Sequence, residues 1–329
     1  MASIRDVARK ANVGPATVSR VLNNSGYVSE ETRRKIEDAM RELNYTPNEL
    51  ARNLFHKKSG IIAILVPSVS HPFFAELVKC VETELYARGY KTMLCDTFRE
   101  ENSEQEYLDM LNRNIVDGII TGVHSLKIEE YTKIDKPIVA FDRCLGENIP
   151  LVRVDHALGG RMAAKLLLAS GCKDVIQFQG AKSVRSPSDI RHIEFERVMK
   201  ENNAKVTSVE LMWNRFDSEY FSEVTEQTMR EHPDIDGVFG ADLLAVYCMK
   251  AAIAQGRQIP GDLKLVAYDG TYVTDAVTPG ITSIVQPIPL IARELAGLLH
   301  DMIEQRPIPQ REKLMNVSIR YGNTTIGKN

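Results

Sequence analysis

The chain has 329 residues, 43% apolar and 26% charged, with a net charge of −3. That balance excludes a disordered chain, and the length suits two or three domains. The uncharged apolar runs, Ile61 to Val66 among them, are far short of the ~20 residues of a membrane span, and the N-terminus lacks the apolar core of a secretory signal. Five cysteines (Cys80, Cys95, Cys144, Cys172, Cys248) form no CxxC pair. An odd, scattered set argues against a disulfide framework and a zinc site and fits a reducing, cytoplasmic compartment. Charge is unevenly spread: residues 1–58 hold 11 Lys+Arg against 7 Asp+Glu, and the remainder 30 against 37. A basic head on an acidic body is expected where only the head meets a polyanion.

The head reads as three short helices. Ile4, Val7, Ala8 and Ala11 have the spacing of one buried helical face, with Ser3 as cap and Asp6 three residues on. A second helix starts at Gly14-Pro15, a cap followed by proline at the first helical position; Val18, Val21 and Leu22 face inward. A third has Ser29 as cap, Glu30 and Glu31 at the positive end of its dipole, and Ile36, Ala39, Met40 and Leu43 inward. Two helices across a three-residue turn, buttressed by a third, is a helix-turn-helix layout. Its second helix would offer Ala16 and Thr17 to thymine methyls and Ser19 and Arg20 to bases or phosphates. An ordinary three-helix bundle with a polar outer face has the same pattern.

The strings DVARKANVGPATVSRVLN, VSEETRRKI and LNYTPNELAR resolve that choice. They resemble, over about 55 residues, the headpiece of the LacI/GalR family of bacterial transcription regulators. The resemblance implies a repressor of the sugar-operon type that binds a near-palindromic double-stranded DNA operator as a homodimer. It assigns Pro15, Ala16 and Arg20 to base reading, and Thr17, Ser19, Asn23 and Tyr45 to phosphate contact or its framing.

Asn48 to Phe55 (NELARNLF) is a candidate helix capped by Asn48. At eight residues it is below the ~12–15 needed for stability alone, so it should order only with a partner. By resemblance it is a hinge helix that folds on DNA beside its dimer mate, with Leu54 wedged between base pairs in the minor groove. Phe55 departs from the small or basic residue usual there, which would shift phosphate contact to Lys57 and Lys58. A plain amphipathic linker is the other reading.

After Ser59-Gly60 short apolar strands alternate with helices. Strands are expected at Ile61–Val66, Thr92–Cys95, Gly118–Thr121, Ile138–Phe141, Val175–Phe178, Val238–Gly240, Leu263–Tyr268 and Thr282–Val285. Helices are expected between them, for example at Phe74–Arg88, Gly160–Ser170 and Asp189–Glu201. Such alternation makes parallel sheets with right-handed crossovers. The expected fold class is α/β. A helix-turn-helix headpiece (1–47) and a hinge (48–59) would precede a two-lobed core (60–329), which by resemblance has the Rossmann-like lobes of periplasmic sugar-binding proteins. Lobe one would comprise 61–158 plus 290–318, and lobe two 159–289 plus 319–329.

The sequence carries no GxGxxG, Walker A, GxSxG or HExxH motif, and no histidine lies at metal-ligand spacing. A binding protein without cofactor or metal is therefore expected, not an enzyme. Gly159-Gly160 after Asp155 suits a helix start as readily as a phosphate cradle. In open α/β lobes ligands sit beyond the carboxyl ends of the strands. There Ser70-His71-Pro72-Phe73-Phe74 offers rings to stack on a sugar and an imidazole for a hydroxyl, unless both Phe rings only start the helix core. Asp142-Arg143 could hold vicinal hydroxyls or form a surface ion pair. Arg191, Asp269 and Gln286 occupy comparable strand or helix ends. The resemblance assigns Phe73, Asp142, Arg143, Arg191, Asp269 and Gln286 to sugar hydroxyls. In this chain Ala241 replaces the asparagine of the usual Asn-Asp pair, leaving Asp242, and Glu194 replaces a glycine. Trp213 is placed to stack on the sugar or to fill the core.

The expected function is thus repression of a carbohydrate-utilisation operon under a sugar or sugar-phosphate effector bound between the lobes. The end at Asn329 without a leucine heptad points to a dimer. A global carbon-catabolite regulator of the same fold, with a phosphorylated carrier protein on its first lobe, is the alternative. A transport-associated sugar-binding protein is a third reading.

Overall fold

A computed structural model describes residues 2–23, 25–46, 58–97, 103–123, 126–182, 186–212 and 215–325. Asn48, Leu54 and Lys57 of the expected hinge, and Trp213, lie outside the described residues. The chain divides into two compact units, Met1–Gly60 and Ile61–Asn329.

The first unit holds α1 (Ile4–Lys10), α2 (Pro15–Leu22) and α3 (Glu30–Glu42). Ser3 Oγ accepts from the Asp6 N–H at 3.4 Å while the Asp6 carboxylate accepts from the Ser3 N–H at 2.9 Å, so two otherwise orphaned donors are satisfied reciprocally. The turn into α2 passes through Asn12 at φ +52°, a conformation that asparagine tolerates better than most residues. Gly14 then caps α2 ahead of Pro15. Ser29 caps α3 by accepting from the Thr32 N–H. The apolar faces meet in a small core of Val7, Ala8, Ala11, Val18, Val21, Ile36 and Ala39.

The second unit begins with β1 (Ile61–Val66), α4 (Pro72–Ala87), β2 (Lys91–Asp96), α5 (Ser103–Asn112), β3 (Gly118–Thr121), α6 (Ile128–Thr132), β4 (Ile138–Phe141) and β5 (Leu151–Val154). There follow α7 (His156–Ala169), β6 (Asp174–Gln179), α8 (Ile190–Glu201), β7 (Lys205–Glu210), α9 (Ser218–Glu231), β8 (Gly237–Ala241), α10 (Asp242–Ala254), β9 (Lys264–Asp269) and β10 (Thr282–Val285). The chain closes with α11 (Ile288–Ile303), β11 (Glu312–Met315) and β12 (Ser318–Arg320). One sheet has the order β11-β5-β4-β3-β1-β2 and is parallel throughout. The other runs β12-β10-β9-β8-β6-β7, with only β12 antiparallel.

The chain therefore crosses between sheets three times: after β5, after β10 and after β11. The Asp155 N–H donates to the Met315 carbonyl at 2.8 Å, which ties the first crossing to the third. Central strands such as IIAILV (past Ile61) and GIIT are buried, the near-continuous apolar run of a sheet covered on both faces. The lobe limits differ slightly from those read in the sequence. Helix α7 starts at His156 and packs on α8, α11 starts at Ile288 and packs on α4, and Ser318 already belongs to the second sheet.

Gly159 and Gly160 serve packing. A Cβ on Gly160 would lie 2.0 Å from the Arg191 carbonyl oxygen, and one on Gly159 would lie 2.7 Å from the Tyr268 ring. Helix α7 can approach α8 and β9 this closely only without side chains there. Asp155 caps α7, its carboxylate accepting from the Leu158 N–H at 2.8 Å.

Candidate effector site and DNA-reading helix

In the first unit, Pro15, Ala16 and Arg20 are exposed on α2, and Thr17 and Ser19 are half-buried beside them. Asn23 donates through Nδ2 to Ser19 Oγ at 3.2 Å, and its Oδ1 is buried without a partner. Tyr45 packs its ring against the core of the unit. The result is a helix face of small, hydroxyl and guanidinium groups, all able to approach base edges or phosphates.

In the second unit, a cavity of about 260 Å³ opens at the carboxyl ends of the strands of both lobes. His71, Phe73, Phe74, Asp142, Arg191, Asp269 and Gln286 all line it. The first lobe brings His71 and the two phenylalanines on the loop and first turn after β1, and Asp142 one residue past β4. The second brings Arg191 in the first turn of α8, Asp269 at the end of β9 and Gln286 just past β10. Phe73 also stacks on Phe141, with ring centroids 5.7 Å apart, so it serves wall and core together.

Both aspartates adopt positive φ, +47° at Asp142 and +105° at Asp269. Each such residue costs about 1–3 kcal/mol and persists where its surroundings fix it, often at binding sites. At Asp142 the fixing bonds are its N–H to the Val152 carbonyl and the Val154 N–H to Asp142 Oδ1 at 3.2 Å. At Asp269 they are the Gln286 N–H to its carbonyl at 3.0 Å and Gln286 Nε2 to Oδ1 at 2.8 Å.

Two residues assigned to the site stand behind its wall. Arg143 turns away from the cavity: it donates to Glu104 Oε1 at 3.2 Å and to the carbonyls of Val123 and Leu126, and lies over the Tyr131 ring. It is neither a surface ion pair nor a cavity donor, because alternation past β4 sends Asp142 to one side and its neighbour to the other. Asp242 is 1% exposed and accepts from the Gly270 N–H and from both the N–H and hydroxyl of Thr271. It pins the loop that follows Asp269. Ala241 does line the cavity, and Glu194 bridges Arg161 of α7 to Arg197 of α8.

Other side chains reach the site without having been singled out in the sequence. His192 is buried and its pKa is held well below the usual imidazole value, first by burial and then by Arg191. The neutral ring accepts from Arg191 Nε at 3.1 Å and faces Gln177 Oε1 at 3.1 Å, so it orients the guanidinium. That guanidinium lies 4.4 Å over the Tyr268 ring. His156 bridges Tyr268 and Asp142. Burial also lowers His71, with Arg191 reinforcing and Asp269 opposing the shift; Phe74 and Phe216 flank its ring. Lone histidines at a helix start or inside one gave no spacing signal, whereas Tyr268 directly precedes an identified aspartate. Among the described residues no cluster of three or more His, Cys, Asp or Glu suits a metal, and no helix is long and apolar enough to cross a membrane.

Comparison with known proteins gives the arrangement a relationship. Residues 3–48 match the model for bacterial regulatory proteins of the lacI family, and residues 163–325 match a periplasmic binding protein-like domain. The chain is 40% identical to a ribose operon repressor of Halalkalibacterium halodurans over 99% of this chain and 98% of that one. It is also 40% identical to a sucrose operon repressor of Streptococcus mutans serotype c, over 98% and 99%. A crystal structure of a periplasmic binding protein/LacI transcriptional regulator from Alkaliphilus metalliredigens QYMF, complexed with D-xylulofuranose, superposes with a TM-score of 0.75. It is 27% identical and covers 82% of this chain and 100% of its own. With a helix-turn-helix head, two parallel-sheet lobes and full-length relatives at this identity, the chain belongs to the lacI family of bacterial regulatory proteins.

Proposed function

We propose that the protein is a cytoplasmic, homodimeric repressor of a carbohydrate-utilisation operon, which reads a near-palindromic operator through α2 and releases or tightens it when a sugar or sugar phosphate occupies the cavity. One observation carries the effector reading. Gln286 Oε1 and His71 Nδ1 are buried in the cavity wall without hydrogen-bond partners, beside the carboxylates of Asp142 and Asp269. Buried polar atoms are normally paired, and an acceptor-rich wall with flanking rings is complementary to hydroxyl donors on a sugar. The site binds and orients its ligand and performs no chemistry on it. Operator affinity then depends on the effector through one coupling free energy that acts equally in both directions.

A thermal-melt screen of the full chain against sugars and sugar phosphates tests this. A ligand present at about 100 times its Kd adds roughly 2.7 kcal/mol to the native state, and one such ligand should also change operator retention in a gel. Melts that move with no sugar or sugar phosphate would remove the effector reading and leave a protein co-regulator to be tried.

A further inference from the structure

His156 is the first residue of α7, set just after the first crossing between the lobes, and its side chain is buried. Its Nε2 lies 2.9 Å from Asp142 Oδ2 in the first lobe, and its Nδ1 lies 2.8 Å from the Tyr268 hydroxyl in the second. The His156 and Tyr268 rings stack, with centroids 5.7 Å apart and an interplanar angle of 30°.

Hydrogen-bond chemistry gives this chain a direction. A carboxylate only accepts, so Nε2 carries the hydrogen and donates to Asp142. Tyr268 is fully buried, and that burial raises its phenol well above the ordinary value, so the hydroxyl keeps its proton at neutral pH. With that hydrogen on Nε2, Nδ1 is left to accept from the hydroxyl. The order is Tyr268 O–H to His156 Nδ1, then His156 Nε2–H to Asp142. The Val154 N–H holds the other carboxylate oxygen at 3.2 Å, so Asp142 is fixed from two directions while it faces the cavity. At the far end Tyr268 carries Arg191 over its ring and precedes Asp269 in the chain.

We propose that His156 is a positioning residue for the effector response: it orients Asp142 toward a sugar hydroxyl and links that carboxylate, across the lobe junction, to the Tyr268–Arg191–Asp269 group. This rests on the reading of the cavity as a sugar site. Hydrogen bonds in such chains polarise one another, so loading Asp142 with a hydroxyl donor changes the hold of His156 on Tyr268.

Two measurements on the full chain separate this proposal from the sugar reading. The first uses no sugar: long-range ¹H–¹⁵N correlation spectra of the imidazoles. His156 is expected as the Nε2–H tautomer, with an Nδ1 resonance that moves when Tyr268→Phe removes its donor. An Nδ1–H tautomer, or indifference to Tyr268→Phe, overturns the chain. The second is calorimetry with D-ribose, D-fructose and sucrose as probes. His156→Gln keeps a donor for Asp142 and should bind within about threefold of the natural protein, whereas His156→Ala should weaken binding about tenfold or more, as expected for a lost hydrogen bond to a charged group. Unchanged affinity in His156→Ala, or equal losses in both variants, contradicts the positioning role. If the natural protein binds none of the three sugars, the sugar reading loses its support while the tautomer still decides the chain.

Discussion

Arg143 donates to Glu104 Oε1 at 3.2 Å, and both side chains are buried in the first lobe. The residue before it, Asp142, faces the cavity between the strand ends of the two lobes. Two adjacent charged residues thus have unrelated duties. Burial disfavours the guanidinium charge and lowers its pKa, while the Glu104 carboxylate opposes the shift.

Removal of one partner from a buried ion pair leaves the other charge uncompensated and costs about 3–5 kcal/mol. Arg143→Ala should therefore lower the stability of the core by about that amount in urea unfolding, while the folded fraction keeps its sugar affinity. Arg191→Ala should do the reverse, with little change in stability and a loss of sugar binding in calorimetry. Equal behaviour of the two variants would contradict this division.

The contact between α7 and α8 yields a second prediction. In Gly160→Ala the new methyl group meets the Arg191 carbonyl, so the helices must part. Overpacking costs about 1–3 kcal/mol, and displacement of Arg191 should weaken sugar binding as well. Gly297→Ala in α11 has nothing within 4 Å of the new Cβ and should stabilise by roughly 0.5–1 kcal/mol. Melting temperatures of the two variants should move in opposite directions.

Asp242 and Asp269 form a coupled acidic pair. Burial, and then the neighbouring Asp269 carboxylate, push Asp242 up to about 8, against the opposing hydrogen bonds from Thr271 and Gly270. Burial raises Asp269 too. A carboxyl group whose folded pKa lies above its unfolded value stabilises the fold fully only below the unfolded pKa, and that contribution is lost as pH rises through the folded one. The contribution of this pair should therefore fall between about pH 4 and pH 8, against the buried neutral His71 and His192, whose lowered pKa values favour the fold as pH rises. Asp242→Asn should flatten this slope, at a cost of about 1–3 kcal/mol from acceptors lost to Thr271. Denaturant midpoints across that range give the comparison, and an unchanged slope in Asp242→Asn would refute the assignment.

On α2, proposed to read the operator, Arg20 is exposed and takes no part in the core. Arg20→Ala should leave the melt of the head unchanged and weaken operator binding by about 1–3 kcal/mol. The binding constant should also fall steeply with salt, as phosphate contacts require. An unaffected operator affinity would place the reading surface elsewhere.

Much of this architecture was legible in the sequence because burial writes long patterns. IIAILV, GIIT and IVAF are buried strands and read as such, and the caps Ser3, Gly14 and Ser29 marked the helix starts of the head. The strands that escaped notice carry weaker patterns. KVTSVE (β7), EKLM (β11) and SIR (β12) lie at sheet edges, half exposed, and have no apolar run. LVRV (β5) is short and interrupted by Arg153. Residues at strand ends such as Asp142 and Asp269 are legible as cavity lining because parallel sheets open their clefts there. The places of Arg143 and His156 are not legible in the sequence for one cause: which way a side chain turns off a strand end, and which distant residue meets it, depends on contacts such as Glu104–Arg143 and Asp142–His156 that no local spacing encodes.

The most direct test of the central claim is the affinity of the full chain for DNA with and without sugar. A fluorescent duplex selected from a random pool by the protein itself would be titrated by anisotropy, alone and with D-ribose, D-fructose or sucrose. Selection should enrich a near-palindrome, and at least one sugar should shift its affinity by about tenfold, within the usual range of coupling between sites. Selection without sequence enrichment, or a palindrome whose affinity ignores every sugar and sugar phosphate, would contradict a sugar-controlled repressor.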